Sequence, residues 1–382
     1  MLSFGQSSFP IGLDISDTSL KLVQLRKKAN KIKIQAMGRI ELPIGTIEKG
    51  EIKNQRAFLE SLEKLIDKPK YGNITTSEIV ACLPESKTYI ELIKIAKSSN
   101  QLENVVEVEM EKYFPIAASE LFYDWQVLGE DKNNFNVLIG AAEKAVVTQY
   151  ISIFNKAKLS TVALEIESVA ICRALLNEES PKIKIKQFKN YMIIDIGYNR
   201  TNLIIYARNT IVFSVSIPVS GREITKNIAD ILEISEEQAE KAKIICGLDE
   251  AIAKGIIRKI LANTLDTINK RIDSALEFYN NNYASLGPIS EIILSGGGSN
   301  IKDLDKIIAE GIKIETKNGD IFTHLDKEFS DNFSKTLIET HDLKLDDIKG
   351  LDNKKLSIKQ STSSGYATAI GLSLRNIFIA NN

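Results

Sequence analysis

Histidine is almost missing from this chain of 382 residues: only His324 and His341 carry an imidazole, and both fall in a polar stretch towards its C-terminal end. Histidine-based catalytic triads are thereby excluded, and any chemistry has to run on carboxylates, metal ions and backbone amides. Cysteine is scarce too. Cys82, Cys172 and Cys246 are far apart and odd in number, which excludes a disulfide framework or a zinc site and fits a reducing compartment. No apolar run approaches the roughly 18 residues that a membrane-spanning helix needs. The opening Met-Leu-Ser-Phe-Gly lacks a basic segment followed by an apolar one, so no secretory leader is expected. There is no charge excess either. Lys and Arg number 49 and Asp and Glu 50, a formal net charge of -1 that argues against bulk nucleic-acid binding. The expectation is a cytoplasmic protein.

What remains is an ordinary globular composition, 43% hydrophobic and 26% charged, over a length that calls for two domains or more. Residues 10–16, 19–27 and 31–41 read as three strands joined by tight polar turns, the second being Lys27-Lys28-Ala29-Asn30. The basic cluster Arg26, Lys27, Lys28, Lys31 and Lys33 reads as a solvated hairpin tip rather than a docking site for an acidic partner. A helix over 54–67 carries Phe58, Leu59, Leu62, Leu65 and Ile66 at helical spacing, and 79–84 is a short buried strand. From 86 to 159 the texture changes to a small α+β insert. It holds strands at 88–95, 121–128 and 135–142, a helix whose start places Asn100 and Glu103 as a capping box, and a helix over 144–157. Pro115 ends the first of these helices, just after Tyr113 and Phe114, which read as core.

A strand at 161–166, a helix at 168–177 and a connector rich in lysine (Lys182, Lys184, Lys186, Lys189) lead to 190–197, 200–207 and 210–218, again three strands with short turns. Strand–turn–strand–turn–strand therefore occurs twice, with Asp14 and Asp195 closing the first strand each time, and an internal duplication is the economical reading. Residues 220–285 are mostly helical (221–232, 236–245 and 250–283). A buried strand at 291–295 then runs into Gly296-Gly297-Gly298 and a helix over 301–310; 324–360 reads as polar and loop-rich, and a helix over 365–378 closes the chain.

If the two repeats pack as pseudo-symmetric halves, Asp14 and Asp195 face each other across a cleft. Two carboxylates so placed hold Mg²⁺, commonly through its retained waters, beside a triphosphate. The backbone amides of Ser16, Asp17, Thr18 and Ser19, and of Gly197, Tyr198, Asn199, Arg200 and Thr201, would cradle the β- and γ-phosphates, with Gly197 permitting close approach. Lys21, seven residues after Asp14, reaches phosphate as a point charge. Gly296, Gly297, Gly298 and Ser299 form a turn on which an adenine or ribose can lie; equally, such a turn serves only to start a helix. Glu240 and Lys243 share a helix face and suit ribose hydroxyls or, as bare surface charges, nothing at all. Glu167 opens a helix, either as a favourable first-turn acid or as the group that orients water for attack on the γ-phosphate.

Together these segments resemble the actin-like ATPase superfamily. Residues 14–21, Asp-Ile-Ser-Asp-Thr-Ser-Leu-Lys, match its first phosphate motif, 195–201 its second and 295–298 its adenosine motif, and Glu165 to Ala170 falls at its first connecting motif. Within it the chain is most similar to the PilM family of type IV pilus assembly proteins. That similarity rests on Leu42-Pro43-Ile44-Gly45 with Gly50, on Glu109-x-x-x-Tyr113-Phe114-Pro115, on Ser220-Gly221-Arg222-Glu223-Ile224-Thr225 and on Gly371-Leu372-Ser373-Leu374-Arg375. Two departures stand out: Ser16 where much of the superfamily has glycine, and a long polar stretch at 324–360.

The resemblance implies an α/β, actin-like ATPase fold of two duplicated ribonuclease-H-like lobes. The first lobe would be 1–85, 160–190 and 364–382, with an FtsA-like α+β subdomain inserted at 86–159. The second would be 191–219 and 287–363, with a helical subdomain at 220–286. It further implies ATP with Mg²⁺ between the lobes, on Asp14 and Asp195. It implies a place at the cytoplasmic face of the inner membrane, held by the short cytoplasmic N-terminal tail of PilN in a groove between the first lobe and the insert. Other pilus assembly proteins and self-association are further expectations; nucleic acid and direct membrane insertion are not. ATP turnover would be slow at most, since Glu167 is the only evident water-positioning group and no basic finger residue stands out. A small-molecule kinase on the same core would need a catalytic base that no segment offers. An FtsA-like division filament would end in a basic amphipathic tail, where this sequence has Ile377-Phe378-Ile379.

Overall fold

The computed structural model describes residues 7–28, 31–97, 102–130, 132–177, 189–344 and 355–375. Strands β1 (Ser7–Ile15), β2 (Ser19–Lys28) and β3 (Lys31–Glu41) form an antiparallel meander. A hairpin of β4 (Ile47–Glu48) and β5 (Glu51–Ile52) precedes helix α1 (Gln55–Asp67). Asn54 caps that helix by accepting the Ala57 amide at 3.0 Å, and Phe58, Leu62 and Leu65 turn inward at helical spacing. Strand β6 (Tyr71–Gly72) borders β3, and β7 (Glu78–Leu83) runs parallel to β1. There follow β8 (Thr88–Ala96), α2 (Leu102–Tyr113), β9 (Leu121–Glu130), β10 (Asn134–Glu143) and α3 (Lys144–Lys156), before β11 (Ser160–Ile166) adds parallel to β7. The first sheet has the order β11-β7-β1-β2-β3-β6.

Helix α4 (Glu167–Leu175) leads to the second sheet, which opens with another antiparallel meander of β12 (Tyr191–Ile196), β13 (Thr201–Ala207) and β14 (Thr210–Ile217). Helices α5 (Gly221–Leu232), α6 (Glu236–Cys246) and α7 (Ile256–Tyr283) come next. Strand β15 (Glu291–Ser295) then adds parallel to β12 and, after α8 (Leu304–Ile312), β16 (Thr316–Asn318) adds parallel to β15. Both sheets thus share one plan, a meander with two parallel strands laid against its first strand: β11-β7-β1-β2-β3 in one, β16-β15-β12-β13-β14 in the other. The duplication read from the two aspartate-ended strands is a duplication of topology.

The apolar side chains fall into layers. Between the sheets, Val23, Leu25 and Met37 of the first and Ile193, Ile204 and Ile293 of the second enclose α4 and α10 (Ala367–Ser373). The approach is close: a Cβ on Gly371 of α10 would lie 1.8 Å from the Ala170 carbonyl oxygen of α4, and one on Gly12 of β1 would lie 2.1 Å from that of Ala369. The outer face of the first sheet is covered by α1 and α3, and that of the second by α5, α6, α7 and α8. Each Leu or Ile buried in these layers contributes about 1.5–3 kcal/mol before the entropic costs of ordering.

The region expected as a separate insert divides its allegiance. Ile93, Val106, Met110, Phe114 and Val137 make a small core of their own under α2, with Phe114 against Tyr89, while Tyr113 is exposed. Yet β8, β10 and β9 continue the second sheet beyond β14 through a single pair, Phe213 opposite Glu91. Helix α3 turns Val146, Tyr150, Ile153 and Phe154 into the core of the first sheet, where they meet Phe58 and Leu62. The stretch 324–360, read as loop-rich, instead contains α9 (Lys327–Phe333) and two antiparallel strands, β17 (Ile338–Lys344) and β18 (Lys355–Ser361). A polar two-stranded ribbon is ordered by its backbone ladder, which no apolar alternation announces. Asp326, just before α9, pairs with Lys31 and Lys33, so part of the basic hairpin is neutralised from within the chain. Lys182, Lys184, Lys186, Asn100 and residues from 376 onward lie outside the described residues.

Candidate functional site

Strands β1, β7 and β11 are parallel, as are β12 and β15, and the carboxyl ends of all five bring acids or glycines to one junction between the sheets. Asp14, 4% exposed, stands opposite Lys21 across the β1–β2 ladder and takes its ammonium at 2.8 Å. Burial alone would lower the Lys21 pKa, but the charge and hydrogen bond of Asp14 outweigh it and hold the ammonium above its ordinary value. In the second repeat Asp195 occupies the same position on β12, 8% exposed, with Asn202 opposite it in place of the lysine. Burial pushes the Asp195 carboxyl up to about 6; the nearby Ser295 hydroxyl pulls it down, and the charges of Asp14 and Lys21 act on it in opposite directions. Glu167, at the start of α4, is held well above the carboxylate range by burial and by Asp14, Asp195 and Glu85, and Thr368 Oγ1 lies 3.3 Å from its Oε1.

The two turns that follow the aspartates have the same geometry. The Ser16 amide donates to the Ser19 carbonyl at 3.0 Å, and the Gly197 amide donates to the Arg200 carbonyl at 2.8 Å. Two residues after each aspartate, then, an amide closes the turn onto the residue three further on. Among the described residues the amides of Asp17 and Thr18, and of Tyr198 and Asn199, find no backbone acceptor. Ser16 fills its glycine-like position by folding its hydroxyl back onto the Ser19 amide, at 3.0 Å. The Asp17 carboxylate is engaged twice, accepting from the Gly50 amide at 3.1 Å and from Asn199 Nδ2 at 3.2 Å. Gly50 in turn gives its carbonyl to the Tyr150 hydroxyl at 3.1 Å, which accounts for a glycine that sequence alone marks only as a motif.

Gly296 sits against Asp195. With φ +78°, any side chain there would meet the Ile196 carbonyl oxygen at 2.5 Å and Asp195 Oδ1 at 3.0 Å. A Cβ on Gly298 would strike Ile196 at 2.2 Å, whereas one on Gly297 meets nothing within 4 Å, so Gly297 presents bare backbone to open space. Ser299 is buried and donates to the Gly296 carbonyl at 2.7 Å, bracing the turn.

Other expected residues are placed differently. Thr201 is fully buried beneath its turn, with a hydroxyl that has no partner among the described residues. Lys243 is 5% exposed, and its ammonium serves the Gly221 carbonyl, the Thr225 hydroxyl and Glu240 at 3.2, 2.8 and 2.6 Å. An ammonium has three protons, and these three acceptors use them. Lys243 therefore pins the N-terminus of α5, while the Gly221 and Arg222 amides donate to the carbonyls of Gly197 and Tyr198, both at 3.0 Å. Glu240 keeps a side chain that is 44% exposed. Arg200 is exposed.

Sequence reasoning missed Glu85 and Asn202, and read Ser295 only as the first residue of the adenosine motif. Glu85 follows β7 after Leu83-Pro84, accepts from Ser214 Oγ of β14 at 2.8 Å and is pushed up to about 7, by burial first and by Asp195 as well. An acid just past a buried strand that ends in proline was the available signal. Asp14, Asp195 and Glu85 all act electrostatically on Glu167, and glycines keep the approach clear; among the described residues no three acids stand close enough to ligate a metal directly, so a cation here would be held through its own waters.

Two sheets of duplicated topology, with paired aspartate turns facing one another at their junction, define the actin-like ATPase fold. Solved structures share it. A PilM–PilN type IV pilus biogenesis complex superposes with a TM-score of 0.73 at 18% identity, over 96% of this chain and 98% of that one. MreB5 of Spiroplasma citri bound to AMPPNP superposes with 0.52 at 16% identity, over 98% of each chain. The family model described as type IV pilus assembly protein PilM matches residues 12–351, and the chain belongs to that family. Cell division protein FtsA of Borreliella burgdorferi is 22% identical over 226 residues, 52% of this chain and 53% of FtsA, so the chain spans about half the length of that curated relative.

Proposed function

We propose that this member of the family binds ATP with Mg²⁺ at the junction of the two lobes, and that nucleotide-driven closure sets its affinity for the pilus machinery. The observation that carries the reading is the pair of equivalent turns, each with backbone amides free of backbone acceptors beside a buried aspartate. The amides of Asp17, Thr18, Tyr198 and Asn199 would receive the terminal phosphates, with Lys21 supplying positive charge. Asp14 and Asp195 would hold Mg²⁺ through its waters, and the ion supplies neutralisation of phosphate charge when bound. The exposed backbone of Gly297 and the carboxylate of Glu240 suit adenosine, while Lys243 positions rather than binds. Glu167 would orient water, which supports slow turnover at most.

The partner we propose is the cytoplasmic N-terminal tail of PilN, on the strength of the fold shared with the PilM–PilN complex over nearly the whole chain. An extended tail in a preformed groove is a common recognition mode. Among the described residues no helix is long and apolar enough to cross a membrane, so attachment to the inner membrane would run through that partner. Calorimetric titration with ATP and Mg²⁺ tests the nucleotide reading. Asp14→Ala and Asp195→Ala should each weaken binding at least about tenfold, a loss near 1.4 kcal/mol; affinity unchanged in both variants would overturn it. Titration with a synthetic peptide of the PilN tail, with and without ATP, tests the partner.

A further inference from the structure

A second concave site lies away from the aspartate turns, on the outer face of the second sheet. It is a groove of about 380 Å³ floored by Leu203, Phe213, Val215 and Ile217 of β13 and β14. One wall is the flank of α7, where Arg271, Ser274, Ala275 and Phe278 follow one another at helical spacing. Val215 on the sheet and Phe278 on α7 are 41% and 45% exposed, so two large apolar side chains lining the groove stand without full cover.

Three features say what fits there. First, among the described residues β14 pairs with β8 at Phe213–Glu91 alone, and beyond it only the Ser214 side chain is held, by Glu85, so the backbone over 214–217 has no strand partner on that side. Backbone groups on such an edge need a hydrogen-bonding partner, which a lipid chain or purely apolar molecule does not supply. Second, Phe213, Val215 and Ile217 stand on one face of β14 at strand spacing, the spacing at which an extended segment laid beside them sends every second side chain inward. Third, Glu91 lines the groove and, among the described residues, has no cationic partner; its contact is the Tyr283 hydroxyl at 3.4 Å. Burial pushes the Glu91 carboxyl up to about 7, so its ionised form is costly there unless a cation is brought beside it.

We infer that this groove docks an extended segment of a partner protein, which adds to the free edge of β14, buries alternate apolar side chains against α7 and places a lysine or arginine at Glu91. The inference does not depend on nucleotide, and the groove lies between the second sheet and α7 rather than between the first lobe and the insert.

The test uses the full chain without nucleotide and a fluorescein-labelled, end-blocked hexapeptide, Lys-Val-Thr-Ile-Thr-Val. Saturable anisotropy is expected, together with slowed amide exchange over 214–217. Glu91→Lys should weaken binding at least about tenfold and should instead accept the peptide carrying Glu in place of Lys. Phe278→Glu, a change at an exposed site, should weaken both. Absence of saturable binding, equal affinity for wild type and Glu91→Lys, or binding without exchange protection at 214–217 would overturn the proposal. Concentration-dependent dimerisation abolished by Phe278→Glu would also overturn it, assigning the groove to a second copy of the chain.

Discussion

Asn199 Nδ2 donates to Asp17 Oδ2 at 3.2 Å, joining the turn that follows β12 to the turn that follows β1. The bond crosses between the lobes at an exposed position, so its net worth is that of an ordinary hydrogen bond. Asn199→Ala should cost about 0.5–1.5 kcal/mol in urea denaturation. Asp17→Ala should cost more, because it also strips the acceptor from the Gly50 amide. A double-mutant cycle will isolate the cross-lobe part.

Asp195 should make stability and binding respond in opposite directions. Its folded pKa of about 6 lies above the ordinary 3.8, so between those values the folded state holds a proton that the unfolded state has lost. The favourable contribution is full below about pH 4 and disappears as pH rises through 6. Asp195→Asn is therefore expected to melt higher than wild type at pH 7.5, by the equivalent of about 1–3 kcal/mol, and to match it near pH 4. The same variant should lose Mg²⁺-dependent ATP affinity.

Glu165 is 6% exposed and holds two guanidiniums: Arg173, at 2.7 and 3.1 Å, and Arg375. Arg173 also donates to the Gly371 carbonyl at 2.9 Å, tying β11, α4 and α10 together. Glu165→Ala leaves buried positive charge uncompensated and should cost about 3–5 kcal/mol by chemical denaturation. Arg375→Ala should cost less, since that side chain is 31% exposed.

Two glycine variants separate packing from binding. In Gly371→Ala the new methyl falls 1.8 Å from the Ala170 carbonyl oxygen, so α4 and α10 must part, at a cost of about 3 kcal/mol. Gly297→Ala meets nothing within 4 Å and should leave the melting temperature in place, within about 0.5 kcal/mol, while weakening nucleotide binding.

Much of this was readable from short-range pattern. The two meanders follow from β-rich runs broken by polar turns, and the seven-residue step from Asp14 to Lys21 puts them opposite one another in any antiparallel hairpin with that turn. Helix α1 announces itself by apolar periodicity, and α5, α6 and α7 fall where the sequence reads as mostly helical; the structure adds the side-chain caps Asn54, Ser220 and Ser235. These signals are local, so the sequence by itself determined most of the elements, their order and the duplication, but not α9 or the polar ribbon of β17 and β18, which carry no apolar period.

Tertiary structure decided the rest. Whether Lys243 meets a ligand or three protein acceptors, whether Thr201 is reachable, and whether Glu85 joins Asp14, Asp195 and Glu167 all depend on residues tens to hundreds of positions away. So does the destination of α3, whose apolar stripe fits either core until the first sheet captures it. Periodicity reports which face of an element is apolar; only packing reports what that face meets and which charges it buries together.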